Sequence, residues 1–142
     1  MKNWLYLIFQ LGIVPFTTAQ SFIGKSMALV EHELKSEQVA YNINISEEGI
    51  MIVADEPTDT AIWMFDSTNT CIEYLLLLDP IDYFESCNLL LMHHQKITDG
   101  IYLNVREKTV TYVYLEAGRL VLRTTAFSYS SSAPPLFYVH QN

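Results

Sequence analysis

Two spacings of apolar residues succeed one another along this chain. Met27, Val30 and Leu34 recur at helical intervals with Glu31, Glu33 and Glu37 on their flanks, which predicts an amphipathic helix over residues 25–36, opened by Gly24 and Ser26. From Val39 the interval drops to two. Val39, Tyr41, Ile43 and Ile45 alternate with Ala40, Asn42, Asn44 and Ser46, as a half-buried strand requires. Glu47-Glu48-Gly49 turns the chain into a strand at 50–54. An acidic loop at 55–59 leads to a strand at 61–65, and a turn at 67–69 to a fourth at 71–78. Such short connections predict an antiparallel meander.

The helical interval then returns. Asp79-Pro80-Ile81-Asp82 supplies a capping side chain, a proline for the first helical position and an acid for the first turn,. Ile81, Phe84, Cys87, Leu90, Leu91 and His94 form the stripe behind it, so a helix is expected over 80–97, ended by Asp99-Gly100,. Three strands follow at 101–106, 109–116 and 119–125, the last two joined by Ala117-Gly118,. The expected fold class is α+β: a seven-strand, mostly antiparallel sheet in the order helix, four strands, helix, three strands, with both helices packed on one face. One domain over 20–125 is expected, and the Ser-rich, Pro134-Pro135 stretch at 126–142 reads as an irregular tail whose Leu136 to Val139 are apolar enough to dock,.

The amino end follows a different logic. Lys2, an apolar run from Trp4 to Val14 and the small residues Thr17-Thr18-Ala19 are ordered as in a secretory signal,. The run is too short to span a bilayer and Pro15 interrupts it,. Cleavage after Ala19 is expected, which places the protein in the periplasm or outside the cell, without stable membrane insertion afterwards. The segment Phe22-Ile23-Gly24-Lys25-Ser26, with Val30 and Leu34 after it, resembles the first helix of small exported envelope modules such as the beta-lactamase-inhibitor-like family. The resemblance covers that helix alone. In the family two short helices precede the strands, whereas one does so here, and its inhibitory function is not carried over.

Charge narrows the partner classes. The 142 residues hold 8 Lys and Arg against 16 Asp and Glu, for a net charge of -8, which repels phosphate backbones and argues against nucleic acid. Between Ser36 and Gln95 there are acids but no Lys or Arg, while Arg106, Lys108, Arg119 and Arg123 follow in the last third. This polarisation suits steering of a basic partner or a cation, or simply a well-solvated surface.

Candidate chemistry is sparse. Cys71 and Cys87 fall on a strand and the following helix, where an exported protein can keep a disulfide if the helix doubles back,. His32, His93, His94 and His140 lack metal-ligand spacing, since adjacent helical residues point about 100° apart,. Asp55, Glu56 and Asp59 crowd a loop as calcium ligands would, but without the spacing of an EF-hand and with Pro57 between them,. Asn44-Ile45-Ser46 has the pattern of a glycosylation acceptor,. No catalytic residue, metal or cofactor is expected.

Tyr102, Tyr112 and Tyr114, with Arg106 and Arg123, are expected to share the helix-free face of the sheet. Such a face would serve a protein or glycan partner, or be covered by the tail. The expected function is an exported, non-enzymatic binding or structural module. The alternatives are an exported hydrolase using a carboxylate and His94 in a cleft, and a calcium-stabilised surface protein.

Overall fold

The computed structural model describes residues 22–55, 59–79, 91 and 94–127. Helix α1 (Met27–Ser36) opens with Ser26, whose side-chain hydroxyl accepts the Leu29 N–H at 3.3 Å, and carries Lys35 in its last turn,. It closes through Glu37 N–H on Glu33 O and Val39 N–H on Leu34 O, with Gln38 at φ 58 reversing the chain,. Eight strands follow: β1 (Asn42–Ser46), β2 (Gly49–Asp55), β3 (Asp59–Phe65), β4 (Cys71–Leu78), β5 (Gln95–Thr98), β6 (Ile101–Asn104), β7 (Thr109–Glu116) and β8 (Arg119–Ala126). They form one sheet in the order β1-β2-β3-β4-β8-β7-β6-β5, with every described pairing antiparallel. No described helix is long and apolar enough to cross a membrane.

This corrects the expected fold class. The chain makes an eight-strand antiparallel sheet, not a seven-strand one, and α1 is the only α-helix of more than one residue among the described residues. The additional strand, β5, occupies residues assigned above to the end of a second helix. Its cause is Asp99-Gly100, which acts as a hairpin turn and not as a helix stop: Lys96 pairs with Tyr102 and Gln95 with Leu103 across it,. Residues 80–90, the first part of that expected helix, lie outside the described residues, as do 1–21 and 128–142 with the expected signal and tail.

The architecture is two four-strand meanders joined where the last strand of each meets the other. At that seam Tyr74 pairs with Thr124, Leu76 with Leu122 and Leu78 with Leu120. One face of the sheet carries the core: Ile52, Trp63, Phe65, Tyr74, Leu76 and Leu122 are buried in one cluster with Val30 and Leu34 of α1. Trp63 and Tyr74, paired across β3 and β4, hold their rings 5.5 Å apart. The segment entering α1 is tied to the start of β4 through Gly24 N–H on Cys71 O at 2.7 Å and Cys71 N–H on Lys25 O at 2.8 Å.

Candidate functional site: the reverse face of the sheet

Side chains alternate across a strand, so the pairing register fixes which residues share the face opposite α1. Three rows cross it. The first runs Met51, Met64, Glu73, Thr125, Val110, Leu103; the second Val53, Ile62, Leu75, Arg123, Tyr112, Ile101; the third Asp55, Thr60, Leu77, Val121, Tyr114. The face is mainly apolar over six strands, and no described helix or strand lies on it. Most of its apolar side chains are half-buried, Val110 and Val121 are buried, and Tyr114 is 39% exposed.

Polar groups on this face are few and mutually engaged. Arg123 donates from its guanidinium to Glu73 Oε2 at 2.8 Å, and that bond is the main reason the guanidinium holds its proton more tightly than usual. Thr60 donates to Asp55 Oδ1 and receives a bond from Arg119 at 3.4 Å. Burial raises the hydroxyl pKa of Tyr112, which the nearby Arg123 partly offsets. Burial also raises Tyr114, with the Glu116 carboxylate adding to the shift.

Of the five residues expected on this face, the sheet brings together Tyr112, Tyr114 and Arg123. Tyr102 pairs with Thr111, which pairs with Thr124, so it sits half-buried on the α1 side of the sheet. The reason is loop parity: the four-residue turn 105–108 pairs Asn104 with Thr109, so even-numbered positions of β6 meet odd-numbered positions of β7,. Ile101 and Leu103 therefore join the tyrosines instead. Arg106 lies in that turn, exposed. The sequence reading missed Met51, Val53, Ile62, Met64, Leu75 and Leu77 as members of this face, although their alternation with buried core residues in β2, β3 and β4 is a direct signal.

The remaining candidates lie elsewhere. Cys71 is a free, buried thiol donating to Glu73 O at 3.7 Å, and burial pushes its pKa up to about 12. Cys87, the other half of the expected bridge, lies outside the described residues, as do His93, His140 and Glu56. His94 is half-buried just before β5, its N–H donated to Leu91 O, and His32 is exposed on α1. Asn44 is exposed on the outer strand β1. Among the described residues no three His, Cys, Asp or Glu gather as a metal would require. Comparison with protein-family models, curated proteins and solved structures finds no match to this chain.

Proposed function

We propose that this protein is an exported, non-enzymatic binding module that presents the reverse face of its sheet to a protein partner. The supporting observation is the set of three rows, apolar across six strands, with its central charges already paired by Arg123 and Glu73. A broad apolar face that no described helix or strand covers suits a contact surface,. Tyr112 and Tyr114 add large rings with polar tips, the composition favoured at interfaces. Export is the sequence-based part of the reading, carried by Lys2, the apolar run and Thr17-Thr18-Ala19,.

Two measurements test it. Amino-terminal sequencing of secreted material should begin at Gln20, and material that still begins at Met1 overturns export. In dilute solution, replacing Tyr112 and Tyr114 with Ser should lower chemical stability by no more than about 1–2 kcal/mol, since half-exposed rings lose little burial. A loss of about 4 kcal/mol or more, the cost of emptying a core aromatic site, would make the face a second core layer.

A further inference from the structure

Taking the reverse face as a contact surface, as proposed above, we infer that its occupant is a second copy of this chain, the two sheets packing reverse face to reverse face as a sandwich. Size is the first reason. Six strands about 4.8 Å apart, each with about five residues at 3.4 Å, outline roughly 490 Å² before side-chain relief is counted. Two such faces bring together about 1,000 Å², the threshold of a specific protein interface.

Charge is the second reason. The chain carries a net charge of -8, yet the interior of this face holds only Glu73 and Arg123, which satisfy each other at 2.8 Å. A copy approaching face to face meets no unpaired like charge there. At the edge of the face Asp55 and Arg119, both hydrogen-bonded to Thr60, carry opposite signs, so neither a basic protein nor an anionic lipid surface meets a field of one sign there.

Shape is the third. A two-fold axis lying between the sheets along the β4–β8 seam sets β7 of one protomer over β3 of the other, because these strands are equally distant from the seam,. Such an axis keeps the rows in step, so Tyr112 of one protomer lies over Ile62 of the other and Val110 over Met64, contacts of ring on branched aliphatic and of valine on thioether. Sheets so paired lie about 10 Å apart with strands crossing at about 30°.

Sedimentation equilibrium of the purified chain over a wide concentration range, combined with peroxide oxidation rates of Met51 and Met64, tests the inference. The expected result is a dimer in which both methionines oxidise at least about 10-fold more slowly than in the diluted monomer. The Tyr112→Ser/Tyr114→Ser variant should weaken association at least about 100-fold with unchanged far-ultraviolet circular dichroism. Ile62→Lys, on the opposite half of the face, should do the same and stands in if the first variant does not fold.

A dimer insensitive to these variants, with both methionines oxidised freely, overturns the inference because association then uses another surface. A monomer with freely oxidised methionines overturns the second copy but leaves the face available to a different partner. A monomer whose methionines are protected until residues 128–142 are removed overturns both readings, since the chain then covers its own face.

Discussion

Tyr74 buries its ring completely, and with it a hydroxyl that has no hydrogen-bond partner among the described residues. Desolvating such a group without compensation costs about 1–3 kcal/mol. Tyr74→Phe is therefore expected to leave stability unchanged or raise it by about 1 kcal/mol in urea titrations, and a clear loss would show that the hydroxyl is bonded after all. The same burial pushes the Tyr74 pKa well above its ordinary value, with the Asp59 carboxylate adding to the shift, and it pushes Cys71 from 9.0 to about 12. Both folded-state values are raised, so each group contributes stability that is fully present below its unfolded value and is lost as pH rises toward the folded one. Stability should thus decline from about pH 9 upward, followed by chemical denaturation at stepped pH. Since the thiolate is the reactive form, iodoacetamide should modify native Cys71 at pH 8 at least about 100-fold more slowly than unfolded Cys71. Equal rates in mass-spectrometric labelling would show that the thiol is not held in the core.

Turns carry most of the information at the scale of elements. The Asp99-Gly100 hairpin places Gly100 at φ 74, where an added Cβ would lie 2.8 Å from Val113 O, while Val113 N–H donates to Gly100 O. Neither the angle nor the space admits a side chain, so Gly100→Ala should cost roughly 1–3 kcal/mol. The reverse holds at Ala117, which adopts φ 49 beside Gly118 at φ 75, both positive as a type I′ turn requires,. Ala117→Asn should raise stability by about 1 kcal/mol in the same titrations, because asparagine tolerates the left-handed region that alanine resists. These turns also explain what could be read beforehand. The helix before β1 and the strands β2, β3, β4, β7 and β8 announced themselves by spacing. Asp99-Gly100 serves equally as a helix stop and as a hairpin, and only the pairing of Gln95–Thr98 with β6 distinguishes them. The side taken by Tyr102 is legible in the loop length, since an even-numbered loop dictates opposite parity across β6 and β7,.

Across the whole molecule, spacing could not say how the two meanders join, because that choice depends on contacts far apart in sequence. One signal did bear on it. Leu75 to Leu78 and Leu120 to Leu122 are unbroken apolar runs, which suit strands covered on both sides by neighbours and facing apolar surroundings, and these runs pair at the seam of the sheet. The outer strands have the opposite character: β1 and β5 are exposed throughout, with Ile45 79% and Ile97 56% exposed. The fold is therefore best supported along the β4–β8 seam and least at its two edges. Hydrogen exchange should reproduce that gradient. Amides of β4 and β8 are expected to exchange only through global unfolding, whereas those of β1 and β5 open locally at a free energy nearer zero and exchange at least about 100-fold faster. Packing of two copies face to face leaves both edges unpaired and keeps the gradient intact. If β1 amides were instead protected as strongly as those of β8, and lost that protection on dilution, the copies would be joining edge to edge through the exposed backbone of Asn42–Ser46,.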